Sequence, residues 1–301
     1  MQKENAQSSS SKSECTALAV LPQEAKLLKW LAKFTELTAT SLLTRSMTTL
    51  HPSKRINIGQ RLKTVADSAA VRLSSENISK PLCAIDVGTD HAKLPMYLVS
   101  ECGFSHVTAT DINEGPCKTA RSNISLAGAF FKDRIDVIKT DGLCGLDTLC
   151  PDRIIIAGMG GELIVGILSA AEFVRKEKEK IKFVLQPQSK EHLLRRYLYE
   201  NGYRILDEKR CLDAGKHYCV ISAVYDGIKR EHDLLTLYFG EQGILHPDAL
   251  FDAVFDKKYK ILQNNIKMRA LRESEETRDA EQEEKELFLL MSEYKKRREQ
   301  Q

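Results

Sequence analysis

Leu82-Cys83-Ala84-Ile85-Asp86-Val87-Gly88 is an apolar run interrupted by one aspartate and stopped by a glycine. Its length suits a buried strand, and the glycine lets the backbone turn tightly where the strand ends. Four runs of the same kind follow at His106–Asp111, Arg134–Thr140, Asp152–Gly158 and Ile181–Gln186. Between them, His91–Cys102, Gly115–Ala129, Gly161–Arg175 and Lys190–Asn201 read as helices. Strand–helix alternation predicts a parallel sheet with helices on both faces. After Gly202 the texture changes: Tyr203–Leu212 and His217–Tyr225 are joined by Asp213-Ala214-Gly215-Lys216, a turn suited to a hairpin. A parallel sheet that finishes in an antiparallel hairpin departs from the symmetric dinucleotide-binding layout.

Outward from this core the chain changes character twice. Residues 1–50 are rich in Ser and Thr, with one amphipathic piece, Glu24–Leu37, around the only tryptophan, Trp30. The segment is expected to be mostly disordered, with one helix at most. Its acidic residues argue against organellar targeting without closing the question. From about Pro247, Phe251, Phe255, Tyr259, Leu262 and Ile266 form one apolar stripe, and Leu287, Met291 and Tyr294 resume it on a second helix. Two helices joined by a short polar link predict an antiparallel pair. The expected division is an extension at 1–53, a sheet domain at 54–228 and a helical coiled-coil domain at 229–301.

The chain has 301 residues, 45 Lys and Arg against 42 Asp and Glu, and a net charge of +3. That near balance excludes a strong basic field over the whole molecule, so any nucleic-acid contact must come from local patches. One such patch is visible. Lys257 to Arg272 holds six basic side chains and no acidic one. No apolar run approaches the length of a membrane span. The eight cysteines contain no C-x-x-C pair and several interrupt apolar stretches, which predicts buried free thiols in a reducing, cytoplasmic setting rather than a metal site.

The chemistry concentrates at the carboxyl ends of the predicted strands, where open α/β sheets bind ligands. A nicotinamide cofactor would require G-x-G-x-x-G after the first strand. Here Asp90 stands at the second glycine position and would repel a diphosphate, while Asp86 before Gly88 suits a positively charged ligand. That pair fits the amino-acid end of S-adenosylmethionine. Asp111, followed by Ile112, closes the second strand, where a carboxylate can accept from both hydroxyls of a ribose. Asp141-Gly142 closes the third and can accept from an exocyclic amine of adenine. The fourth ends in Gly158-Met159-Gly160-Gly161, which leaves the backbone bare at the expected reacting centre, and the fifth in Gln186-Pro187. Each aspartate alone also suits a cap or a turn; three at successive strand ends favour a ligand.

The blocks AIDVGTDHAKLP at 84–95, TDINEGP at 110–116, DGL at 141–143, IIAGMGG at 155–161, LQP at 185–187 and GKHY at 215–218, with Arg61-Leu62 upstream, resemble the TrmK family. These are bacterial-type tRNA (adenine(22)-N1)-methyltransferases dependent on S-adenosylmethionine. The resemblance spans about 54–225 and implies a Rossmann-like class I methyltransferase sheet followed by a helical coiled-coil domain. Three departures stand out: residues 1–50 have no counterpart, and Lys93 and Gln188 occupy positions where Tyr and Met are expected.

The resemblance implies tRNA as partner; a monomer without metal or membrane attachment is expected beside it. Adenine N1 is itself nucleophilic, so the protein must hold it in line with the methyl donor. As positive charge moves onto the purine, Asp90 is the expected stabilising carboxylate, with His91 beside it as proton acceptor. N1 lies on the pairing edge, so the base must be unpaired or flipped out, with Arg61, Tyr97, Gln186 and Pro187 lining its pocket. Lys257, Lys260 and Arg269 are the expected phosphate contacts. Two alternatives share the sheet: a small-molecule methyltransferase, and a non-catalytic protein that binds S-adenosylmethionine or RNA.

Overall fold

The computed structural model describes residues 56–176, 180–270 and 278–300, so the amphipathic Glu24–Leu37 piece and Arg272 lie outside the described residues. Seven strands form one sheet: β1 Leu82–Val87, β2 Phe104–Asp111, β3 Ile135–Lys139, β4 Arg153–Gly160, β5 Lys182–Ser189, β6 Tyr203–Asp213 and β7 Lys216–Tyr225. Their spatial order is β3-β2-β1-β4-β5-β7-β6. β1 to β5 are parallel, and β7 runs antiparallel between β5 and β6. The order reverses at β1 and β4, where the chain leaves one half of the sheet for the other, and this opens a crevice above the strand ends.

The central strands are apolar because both faces are covered. One face buries Ala84, Val107, Ala109, Ile155 and Val184 beneath α1 Gln60–Ala70, α2 Lys93–Glu101 and α3 Glu114–Ala127. The other buries Ile85, Val87, Ile154, Ile156 and Leu185. Over that face lie α5 Gly161–Ala170 and α6 Glu191–Glu200; a single-turn α4 follows α3 at Ala129–Lys132. Each fully buried aliphatic side chain contributes about 1.5–3 kcal/mol. Among the described residues, seven cysteines are free thiols. The expectation that they are buried holds for Cys117, Cys211 and Cys219; Cys83 and Cys102 are half-buried, and Cys144 and Cys150 are exposed because they fall in the loop after β3 rather than in a strand.

α1 was not anticipated as a helix, and two buried cations explain why it sits where it does. The carbonyls of a helix's last turn lack partners and carry the negative end of its dipole. Arg153, at the start of β4, donates to Ala69 O at 2.8 Å and Val71 O at 3.2 Å, with Glu76 holding its guanidinium at 2.8 Å through Oε2. Lys182, at the start of β5, donates to Ser68 O at 2.7 Å and Val71 O at 3.0 Å. Both side chains are nearly inaccessible. Burial pushes the Lys182 amine down to about 8, with the nearby Arg153 charge adding to the shift. α1 is thereby pinned at its carboxyl end to the foot of the sheet, which leaves its first turn at the strand-end mouth.

The last part of the chain forms α7 Leu234–Phe239, α8 Glu241–Leu245, α9 Ala249–Ala270 and α10 Arg278–Glu299. α9 and α10 pack through Phe251, Phe255, Leu262, Leu287 and Met291, which is the predicted stripe. Arg195 of α6 fixes these helices to the sheet. It is 1% exposed, donates to Glu208 Oε1 at 2.7 Å and to Leu237 O at 2.8 Å, and so joins α6, β6 and α7. Among the described residues, no helix is long and apolar enough to cross a membrane, and no group of His, Cys, Asp or Glu is placed to hold a metal ion.

Candidate active site

Three carboxylates stand at the ends of three neighbouring strands, as the sequence predicts. Asp86 is buried in β1. Desolvation drives its carboxyl up to about 7, partly offset by a hydrogen bond with the Thr89 side chain. Thr89 and Gly88 turn away from the strand with both their N–H groups donating to Thr110 O at 2.8 Å. Gly88 has φ +83°, and a Cβ there would overlap the methyl group of Met159. The left-handed φ is what favours glycine here, while the Met159 methyl is the end of a flexible side chain. Asp111 closes β2 and uses part of Oδ1 on the Asn113 N–H at 2.8 Å. A carboxylate oxygen has two lone pairs, so acceptor capacity remains for two hydroxyls. Ile112 beside it is 54% exposed, an apolar surface left open at the mouth. Asp141 and Gly142 lie in the turn after β3, with Asp141 exposed.

Asp90 and His91 follow on the same loop. His91 Nε2 and Asp90 Oδ2 are 3.0 Å apart, and both side chains are open to solvent, 49% and 72% exposed. The pair is formed, but it faces outward rather than into a closed pocket.

The β4 and β5 ends carry an interlocked set of polar groups. Gln186 is fully buried. Its Oε1 accepts from the Gly158 N–H at 3.1 Å and from Arg61 Nη1 at 2.6 Å, and its Nε2 donates to Pro187 O at 2.7 Å. Of the two readings the Gln186-Pro187 pair allows, an amide offered to a base edge or a plain strand end, the structure uses the amide within the protein. Their polar groups are turned inward, because a buried carboxamide must be satisfied by the protein, and they serve to hold Arg61 over Gly158. The Arg61 backbone N–H also donates to Asp213 Oδ2 at 3.2 Å, and its guanidinium lies 5.7 Å from the centre of the Tyr218 ring. Arg61, Gly158, Tyr218 and the β6–β7 turn are thus one assembly. Sequence reasoning found its first two members and missed Tyr218 and Asp213.

Two further expectations change. Tyr97 packs half-buried on the flank of the sheet, where burial raises its pKa, helped by the charges of Cys102, Asp67 and Glu101. It stands one turn into α2, packed against that flank of the core. Arg269 is taken up by Glu284 at 2.6 Å and Glu281 at 3.7 Å and holds α9 to α10. Lys257 and Lys260 are exposed. The helix spacing that makes α9 amphipathic also divides its basic residues between a partner face and a solvent face.

Comparison with known proteins follows the same lines. A family described as a methyltransferase domain matches residues 59–221. The tRNA (adenine(22)-N(1))-methyltransferase of Bacillus subtilis (strain 168) is 33% identical over 188 residues, covering 60% of this chain and 74% of the relative. The crystal structure of the B. subtilis M1A22 tRNA methyltransferase TrmK superposes with a TM-score of 0.64 at 27% identity, over 79% of this chain and 99% of that one. An uncharacterized protein from Listeria monocytogenes serotype 4b superposes with a TM-score of 0.68 at 25% identity, over the same shares of the two chains.

Proposed function

Because the chain belongs to the tRNA (adenine(22)-N(1))-methyltransferase family, the TrmK family, we propose that its strand-end crevice transfers a methyl group from S-adenosylmethionine to N1 of adenine 22 in the D-arm of tRNA. The observation that carries this reading is the row of Asp86, Asp111 and Asp141 at or just beyond the ends of adjacent strands, beside the Gly88 turn. These donors and acceptors fit a cationic amino-acid nucleoside: a buried acid for its charged end, a carboxylate for its ribose and an open apolar side chain, Ile112, for its base. When bound, S-adenosylmethionine supplies a methyl group on a positively charged sulfur, open to attack by a neutral ring nitrogen.

The protein's own groups then position rather than react. Asp86 ionises and pairs with the charged end of the donor. Asp111 accepts from the ribose hydroxyls, and Asp141, with the Gly142 turn, receives the exocyclic amine. Gly158 and Met159 leave bare backbone where the target base must come in line, and holding the two reactants there replaces an encounter with an orientation. Arg61, fixed by Gln186, presents its remaining N–H groups to a phosphate or a ring-nitrogen acceptor. Asp90 stabilises the positive charge that arrives on the purine, and His91 accepts a proton from the exocyclic amine N–H of the N1-methylated cation, which leaves the base neutral. Lys257 and Lys260 contact phosphates of the folded RNA.

The test is to incubate the protein and S-adenosylmethionine with unmodified tRNA and map reverse-transcription stops. A donor-dependent stop at position 22 is expected; methylation at another position, or none, overturns the reading. Asp111→Ala is expected to weaken donor binding by about 1.5–3 kcal/mol, the range for hydrogen bonds to a charged group. Unchanged affinity in calorimetry, with the variant folded, would remove Asp111 from the ribose site.

A further inference from the structure

Behind the Arg61–Gly158 assembly lies a cavity of about 420 Å³, between the β6–β7 turn and the first turns of α9. Its size is that of a small-molecule pocket rather than a packing defect. Tyr218 forms the wall it shares with the reacting centre, since the Arg61 guanidinium stands over the Tyr218 ring and Gln188 reaches from the cavity toward Gly158. Its far wall is Tyr238, already committed: His192 stacks on that ring at 4.4 Å with 3° between planes, and Lys258 Nζ lies 4.7 Å from its centre. Lys216, His217 and Lys257 on the rim are all exposed. At the floor, Glu191 lies 3.6 Å from the Arg195 guanidinium, which it shares with Glu208. The cavity therefore offers one half-buried aromatic ring, a volume large enough for a base, and cations at the entrance.

We propose that this cavity binds a nucleotide of the tRNA adjacent in sequence to the methylated adenosine, its base against Tyr218 and its phosphate at the Lys216–Lys257 rim. The inference rests on the methyl-transfer reading of the neighbouring crevice. The target base must occupy the space in front of Gly158, so the chain on one side of it has to pass Arg61 and Tyr218. The rim cations match a phosphate in charge, and an aromatic side chain stacks on any base. A flipped adenosine leaves its neighbours without a stacking partner, and Tyr218 takes that partner's place. Arg61 then lies between the two bases and reads both.

The experiment uses the full chain and tRNA transcripts carrying 2-aminopurine at position 21 or position 23. Binding to the wild-type protein is expected to quench the fluorophore at one of these positions through stacking. Tyr218→Leu, which keeps bulk without the ring, is expected to abolish that quench and raise KM for tRNA about tenfold to a hundredfold. Tyr218→Phe is expected to retain both, and S-adenosylmethionine affinity is unchanged throughout. If Tyr218 only supports Arg61, kcat falls while the quench persists, and the proposal is overturned. It is also overturned if neither position is quenched. Should Tyr218→Leu fold poorly, the exposed Lys216→Glu and Lys257→Glu variants take its place. Both are then expected to raise KM for tRNA, and unchanged KM in both refutes the rim. Failure of the methyl-transfer reading itself shows separately, as wild-type protein that leaves position 22 unmodified.

Discussion

Replacing Asp86 with Asn separates what the site costs the fold from what it gives the ligand. The Asp86 carboxyl is buried, and desolvation lifts its pKa from an ordinary 3.8 to about 7. At about 1.4 kcal/mol per pKa unit, the ionised form is disfavoured in the fold by on the order of 4 kcal/mol. Below pH ~4 the acid is protonated whether folded or unfolded and has no effect on stability. Between pH ~4 and ~7 the folded chain holds a proton that the unfolded chain has released, so stability declines as pH rises, and above pH 7 the penalty is constant. Asp86→Asn should therefore stabilise the ligand-free protein at pH 8, by up to about 4 kcal/mol, and change little at pH 4.

Donor binding should show the opposite pattern. If ionised Asp86 pairs with the donor's charge, affinity plateaus above pH 7 and falls about tenfold per unit below it, since only about a tenth of the acid is ionised at pH 6. Binding near pH 6.5 releases a proton, and Asp86→Asn loses both the plateau affinity and this release. Calorimetry from pH 5.5 to 8.5 in buffers of different ionisation enthalpy measures both, and the Asn variant reports the ligand's own titration. A wild-type affinity flat across that range with no proton release would refute the assignment, as would an Asn variant less stable than wild type at pH 8.

Gly88→Ala places a methyl group against Met159 at a φ of +83°, so it should lower Tm and abolish donor binding; normal binding by thermal shift would show that the loop has room. Glu208→Gln leaves the buried Arg195 with only the longer Glu191 contact as counter-charge and should cost about 3 kcal/mol in chemical denaturation, and a loss under 1 kcal/mol would mean that the pair is not what fixes α7. Charge reversal at Lys257 and Lys260 should reduce the salt dependence of tRNA affinity by somewhat under one log–log unit for each phosphate no longer neutralised. Arg269→Ala should weaken the α9–α10 pairing seen by circular dichroism and leave that slope unchanged, and filter binding at three salt concentrations separates the two outcomes.

The strands and the helices between them were legible because burial on both faces demands apolar runs, and seven of these end within about three residues of their predicted limits. α1 was not, because its buried face is made of Thr64, Val65, Ala66, Ser68 and Ala69, small or polar residues without an apolar period. Arg153 and Lys182 look like solvated strand starts in sequence; only the packed helix end shows why cations are needed there. The carboxylates were readable because a strand end fixes where its last side chain stands. The Tyr218 wall was not, since it depends on α1, the β5 end and α9 meeting from three distant parts of the chain. Gln186 was placed at the strand end but its partners were not legible, as sequence does not say which neighbours will use up an amide.

The order β5-β7-β6 also governs when the protein can finish folding. During synthesis β6 emerges before β7, yet it touches the rest of the sheet only through β7. Until residue 225 is free, the edge of β5 is unpaired and the Tyr203–Asp213 segment has no place to go. A hairpin forms within microseconds once both strands are present, so β6 and β7 should arrive as a unit and zip onto β5 together. Glu208 and Arg210 on β6 are also what Arg195 and the Phe239 carbonyl meet, so α7 to α10 have no seat before that moment. The first five strands can close around the proposed donor site early, while the proposed RNA surface waits for the hairpin. A nascent or truncated chain is then exposed to unwanted edge pairing at β5, and a chaperone or a protease would find it there.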